Sequence, residues 1–197
     1  ASGQSFADFV HERIFRPLGM SDTAFWVPPD RLERFGPAHW IDPASGATGV
    51  FDPADGQWTT PPAFPSGGAG LVSTVPDFLA FAEMLRGGGA AGGTRILSRP
   101  SIDTMTTDQL VSEDVPTPGA PAGSIGWGFG VSVQVRRVDP TKPVGTYGWD
   151  GGLGTTWHND PHEDVVGVML SNQAFRGPSL PPAFSDFWTS VYGALDD

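Results

Sequence analysis

The sequence predicts an α+β fold, with helices packed on an antiparallel sheet. Three observations predict it. The elements run in the order helix, long excursion, helices, antiparallel meander, helix, and segregation of this kind builds a sheet with helices on its faces. Trp127, Phe129, Val131, Val133 and Val135 occupy every second position, which is the two-residue period of a strand. Asp160-Pro161-His162-Glu163-Asp164 separates two more strand-like runs with turn-forming residues, the mark of a hairpin.

Each element has its own local reason. In residues 5–16, Phe6, Phe9, Val10 and Ile14 share one face of a helix. Ser5 with Asp8 supplies the cap, and the helix is expected to stop near Pro17-Leu18-Gly19. Residues 20–66 lack periodicity, and turns are marked by Pro28-Pro29, Asp42-Pro43, Asp52-Pro53 and Pro61-Pro62. They read as a long excursion with short strands, anchored by Trp26, Trp40 and Trp58. A helix follows, capped by Thr74 with Asp77, with Pro76 in its first turn. Phe78, Phe81, Ala82 and Leu85 are its buried stripe, and Gly87-Gly88-Gly89 ends it. A short helix after Ser98 turns Ile102 and Met105 inward, and residues 111–124 form a Pro/Gly-rich loop. Strands are expected at 127–135, 144–149, 154–159 and 165–171. Phe184, Phe187, Trp188, Val191 and Tyr192 then give a terminal helix with a wide apolar face.

At 197 residues, with 13 Phe and 7 Trp, the chain can bury a core of one domain or a large piece of one. A net charge of −11 repels phosphate backbones, so nucleic acid is not an expected partner. No apolar run reaches the length of a membrane span. Zero cysteines exclude disulfides, thiol catalysis and zinc–thiolate sites, and leave exported and cytosolic locations equally open. Lys142 is the single lysine, so any lysine base is either Lys142 or comes from outside these residues.

The chemistry-bearing stretch is YGWDGGLGTTWHNDPHEDVVGVMLSNQ at 147–173. Glycines at this density let other groups approach the backbone, and exposed backbone N–H groups can bind a developing oxyanion. Together with RPLGMSDTAF at 16–25 and SGGAGLVSTVPDFLAFAEML at 66–85, it resembles the serine β-lactamase-like superfamily. That superfamily includes class C β-lactamases, D-Ala-D-Ala carboxypeptidases and β-lactamase-fold esterases. The resemblance implies a partial β-lactamase/transpeptidase-like fold and acyl-enzyme chemistry without a cofactor or metal. Three elements carry that chemistry: a Ser-x-x-Lys nucleophile motif, a Tyr-x-Asn-like motif, and a Lys-Thr-Gly, His-x-Gly or Trp-x-Gly triplet on a strand at the sheet edge.

Only the third element is present. The position three before Lys142 is Asp139, and Tyr147 and Tyr192 are followed two residues on by Trp149 and Ala194. In family order both absent motifs would precede residue 1, so 1–197 is expected to be the C-terminal portion of a single domain. Its loop excursion would lie at 20–66, and its sheet and terminal helix at 125–195. Trp149-Asp150-Gly151 falls at the triplet, which makes Trp149, Asp150 and Gly151 expected substrate-binding residues. The Gly152 N–H becomes the expected oxyanion donor, shared with a serine outside the chain. On residue type alone the same stretch reads equally as a glycine-rich bulge at a sheet edge. Gly67 and Gly68, in Ser66-Gly67-Gly68, are placed at the pocket rim by the resemblance, and read equally as a flexible entry to the next helix. Ser73 has no lysine or histidine partner in sequence and is expected to act in capping. His158, Asp160, His162 and Asp164 alternate as metal ligands can, but Pro161 breaks the strand and a solvated hairpin tip is expected.

Two functions follow. One is a segment of a serine hydrolase acting on a small ester, amide or D-amino-acid peptide. An aromatic residue at the cation position of the triplet tilts that reading toward small esters and uncharged acyl groups. The other is a non-catalytic binding or interaction module of the same fold. A partial fold leaves apolar faces uncovered, so association with an N-terminal half or with a second copy is expected.

Overall fold

The computed structural model describes residues 2–42, 44–110, 120–174 and 180–195. Part of the loop expected at 111–124, and Pro43 of the Asp42-Pro43 turn, lie outside the described residues.

The first helix, α1 (Phe6–Val10), is capped by Ser5, whose side chain accepts from the Asp8 N–H. It runs on through a π-helical turn (His11–Phe15) into α2 (Arg16–Leu18), where left-handed Gly19 stops it. The π turn changes which residues are buried. Val10 and Phe15 are five apart and both face the core, whereas Phe6 and Phe9 of the expected stripe remain exposed. Five-residue spacing is what an i→i+5 turn brings into line.

The excursion holds two antiparallel strands, β1 (Ala38–Ile41) and β2 (Thr48–Asp52). The Trp58 indole N–H donates to the Gly70 carbonyl at 3.1 Å and so ties the end of the excursion to the entry of the next helix. That helix is α3 (Val75–Arg86), with the Thr74 side chain capping the Asp77 N–H. Ser73 does not cap it; its hydroxyl lies 2.8 Å from Thr23 Oγ1. Asp77 is itself buried and accepts from the Asp22 N–H and the Thr23 hydroxyl. A small hairpin, β3 (Ala90–Ala91) with β4 (Thr94–Arg95), precedes α4 (Arg99–Met105), which Ser98 caps.

The main sheet is a five-stranded antiparallel meander of β5 (Ile125–Trp127), β6 (Ser132–Gln134), β7 (Tyr147–Gly151), β8 (Thr155–Asp160) and β9 (Val165–Leu170). The single strand expected at 127–135 is a hairpin: Ile125 pairs with Gln134, and the chain reverses between Gly128 and Val131. Gly130 has φ +83°, and a Cβ on Gly128 would lie 1.9 Å from the Met105 carbonyl, so α4 backs the turn too closely for any side chain. The last strand, β10 (Gln173–Ala174), joins β1 in parallel in the smaller sheet, and α5 (Pro182–Gly193) closes the chain.

The two faces of the main sheet carry different chemistry. On one, α3 packs over Tyr147 and Trp157: the Phe78 and Trp157 rings meet at 5.4 Å, and Asn159 donates to the Ala82 carbonyl. Buried Ala82, Leu85, Ile102, Val131, Val133, Tyr147 and Trp157 form the core there. On the other, α5 lays Trp188 against His158 and donates its indole N–H to Thr156 Oγ1 at 2.9 Å. No helix among the described residues is long and apolar enough to cross a membrane.

Candidate active site

Strand alternation splits the triplet between the two faces. Trp149 pairs with Trp157 across the ladder, lies on the α3 face, is 47% exposed and meets the Trp127 ring in a tilted contact with centroids 4.8 Å apart. Asp150 points the other way, toward α5, and is largely shielded from solvent. Gly151 ends the strand opposite Thr155.

The turn at 152–154 is pinned rather than loose. Gly154 has φ +89°, and a Cβ there would lie 2.3 Å from Ser171 Oγ and 2.4 Å from the Gln173 carbonyl. The Ser171 N–H and hydroxyl both donate to the Gly154 carbonyl, and the Gly154 N–H donates to the Gly151 carbonyl. Gly152, at the apex, is exposed and has open space where its side chain would be. No acceptor among the described residues takes its N–H.

Leu153 projects from this turn into an open cleft of about 270 Å³. Phe25, Trp58, Phe64, Ser66 and Gly70 line the opposite sides. The fold therefore brings the 66–70 loop and the 152–154 turn to one cleft. Gly67 and Gly68 do not line it. They are exposed beside it, Gly67 near the Phe6 ring and Gly68 donating its N–H to Ser66 Oγ at 3.2 Å.

Sequence reasoning missed a second constellation. Behind the triplet, Lys142 reaches in from the β6–β7 loop. Its Nζ lies 3.2 Å from His158 Nε2 and 3.9 Å from Asp150 Oδ2, and 5.3 Å over the Trp188 ring. His158 Nε2 lies 3.3 Å from Asp150 Oδ1. Burial pushes the Lys142 ammonium below its ordinary range, against the pull of Asp150 and Asp139. Burial likewise pushes His158 down, the Asp150 hydrogen bond opposing it and the Lys142 charge adding to it. Burial alone would raise Asp150, but the His158 hydrogen bond and the His158 and Lys142 charges outweigh it and hold the carboxyl below the usual carboxylate range.

His158 and Asp160, expected at a solvated hairpin tip, are instead among the most buried polar residues. Asp160 accepts from the His162 and Glu163 N–H groups and from the Tyr192 hydroxyl. The four alternating residues do not converge, and no group of three or more potential metal ligands occurs among the described residues. The signals that could have found the inner cluster were the lone lysine and the cross-strand register, which places His158 opposite Gly148. A Cβ on residue 148 would sit 2.7 Å from the His158 ring.

Comparison with known proteins places this geometry in context. The Beta-lactamase family model matches residues 1–184. An uncharacterized protein of Mycobacterium tuberculosis is 36% identical over 171 residues, covering 82% of this chain and 42% of that protein. Esterase EstB of Burkholderia gladioli is 28% identical over 200 residues, covering 92% of this chain and 47% of the esterase. Among solved structures, EstCE1, described as a hydrolase with promiscuous acyltransferase activity, superposes with a TM-score of 0.78 at 25% identity, over 98% of this chain and 52% of that one. The chain thus spans about half the length of the relatives it matches.

Proposed function

From the premise that this chain belongs to the Beta-lactamase family, we propose that it supplies the third-motif strand and one oxyanion N–H, from Gly152, to a serine hydrolase of small esters with uncharged acyl groups. The observation that carries the reading is the Gly152 amide, exposed at the apex of a pinned turn and next to an apolar cleft. A preorganised N–H that needs no reorganisation during reaction is what oxyanion stabilisation requires. The nucleophile would come from a Ser-x-x-Lys segment outside these residues, and the two halves would share one acyl-enzyme site.

Substrate class follows from the cleft. Its lining is Phe, Trp, Pro, Leu, Ala and Gly with only Gln57 and Ser66 polar, in a chain that carries 33 charged side chains (22 acidic and 11 basic) elsewhere. A site without charge favours uncharged groups, because a carboxylate moved there loses hydration without gaining a partner. Trp149, and not a cation, stands at the triplet's first position. Gly67, Gly68 and Gly151 would serve as backbone rim. Asp150 would act from behind the strand.

The test is covalent labelling with a fluorophosphonate probe. The isolated chain should remain unlabelled, and the longer protein should label at a serine preceding these residues and hydrolyse p-nitrophenyl butyrate. Labelling of any serine within 1–197 would overturn the assignment. A second reading, a non-catalytic module, is favoured by the absence of any serine three residues before a lysine in these residues. A longer protein that neither labels nor hydrolyses the ester would favour it.

A further inference from the structure

The only lysine of the chain is largely buried, on the α5 side of the main sheet. It enters from the β6–β7 loop, where Lys142 itself adopts a left-handed backbone with φ 45°. The Asp150 carboxylate behind the triplet thereby has two cationic or donor neighbours on different elements: His158 Nε2 toward Oδ1 from β8, and Lys142 Nζ toward Oδ2 from the loop. Among the described residues, the groups packed around them include Trp188 of α5 over the lysine and histidine, Thr156 of β8, Tyr192 of α5 with its acceptor Asp160, and Asp139 of the lysine's own loop. Asp150 adjoins Gly151 and lies two residues from Gly152, so a carboxylate held from two sides limits the rotation of the strand end that leads to the Gly152 amide.

The hydrogen-bond arithmetic couples the two partners. A neutral imidazole nitrogen either donates or accepts. If Nε2 donates to Asp150, its 3.2 Å contact with Lys142 sets donor against donor while the lysine is charged. Once the lysine is neutral its amine gains a lone pair, which competes with Asp150 Oδ1 for the single Nε2 proton. Loss of the lysine proton therefore removes one hold on Asp150 and rearranges the other.

We propose that Lys142 and His158 are positioning residues for the Trp149–Gly152 segment and act through the Asp150 carboxylate. The inference rests on the reading of Gly152 as an oxyanion donor, but its test needs no nucleophile. Because Lys142 is the sole lysine, its Cε resonance is unambiguous in a ¹³C-lysine-labelled chain. Titrated from neutral to alkaline pH, the Gly151 and Gly152 amide resonances should move with the same midpoint as Lys142 Cε, while the Ala82 and Leu85 amides of the core stay fixed. In K142M the Gly152 amide should already sit, at neutral pH, where the native chain arrives only in alkali, and most of the pH-dependent excursion should be lost. K142R, which keeps the charge permanently, should abolish the alkaline movement from the opposite end.

Gly151 and Gly152 amides that ignore the Lys142 titration, or that move equally in K142M, would falsify the proposal. Should K142M fail to fold, the titration of the unsubstituted chain decides alone. A longer protein that never forms an acyl-enzyme would sink the functional reading and leave this coupling standing. An unmoved Gly152 amide would sink the coupling and leave the functional reading intact.

Discussion

The Tyr192 hydroxyl donates to Asp160 Oδ2 at 2.7 Å and so fastens the last helix to the β8–β9 hairpin. Burial and the neighbouring carboxylate both push the phenol well above its ordinary range, so it is a donor at every physiological pH. Tyr192→Phe leaves a buried carboxylate oxygen without that donor. It should lower unfolding stability by about 1–3 kcal/mol, read as a reduced urea midpoint at unchanged m-value. An unchanged midpoint would mean water replaces the hydroxyl without loss.

Acid sensitivity should arise largely behind the triplet. The folded pKa of His158 is depressed below 6.5, so on acidification the unfolded chain takes up this proton first. Stability is therefore lost as pH falls from 6.5 toward the folded value. Asp150 is depressed below 3.8, and its contribution is lost only as pH falls from there through its own folded value. His158→Gln, neutral throughout, should flatten the first slope, and because it removes the imidazole charge that helps hold Asp150 down, it should also shrink the second. A denaturation series between pH 7 and pH 4 that keeps its slope in the variant would remove His158 as the source.

Two glycines of one turn should respond oppositely to alanine. At Gly154 a methyl meets Ser171 Oγ and the Gln173 carbonyl, at a φ of +89° that alanine avoids. Gly154→Ala should cost on the order of 2–4 kcal/mol. Gly152 has open space and no positive φ, so Gly152→Ala should fall within about 0.5 kcal/mol of the parent chain. Thermal unfolding of the two variants side by side checks both.

Activity separates the same residue's backbone from its side chain. In the longer protein, Gly152→Pro deletes the N–H and should reduce kcat on p-nitrophenyl butyrate by about 100- to 1,000-fold, while KM changes little. Gly152→Ala keeps the N–H and should retain most of kcat. Equal loss in both variants would point to crowding of the cleft instead of a missing donor.

What was legible in the sequence was what local chemistry decides. Ser5 and Thr74 cap helices as read, because a cap is a bond between residues three apart, and the short helix starts after Ser98 as expected. The meander order and the β8–β9 hairpin were legible for the same reason. The strand at 127–135 was misread because Gly128 and Gly130 fall in phase with the alternation, and the contact that bends the chain comes from Met105 of another element. Phe6 and Phe9 were misplaced because a π turn shifts which residues face the core, and nothing in an apolar count marks it. His158 looked like part of a solvated tip because Pro161 and the acidic residues around it suggest water. Its burial is set by α5, more than twenty residues on, and by a glycine opposite it in the ladder. The Lys142 cluster joins a loop, two strands and a helix, a combination without sequence periodicity.

The pairing of β10 with β1 has a consequence in time. Every strand of the main meander neighbours its predecessor in sequence, whereas Asn172 Nδ2 donates to the Pro37 carbonyl across 135 positions. Local contacts form before chain closure of that span is rewarded. During refolding the Trp149 environment, built within the meander, should therefore reach its final fluorescence ahead of Trp40, which sits on the late-closing strand. Single-tryptophan variants followed by stopped flow measure the order directly, and simultaneous phases would show that both sheets condense together.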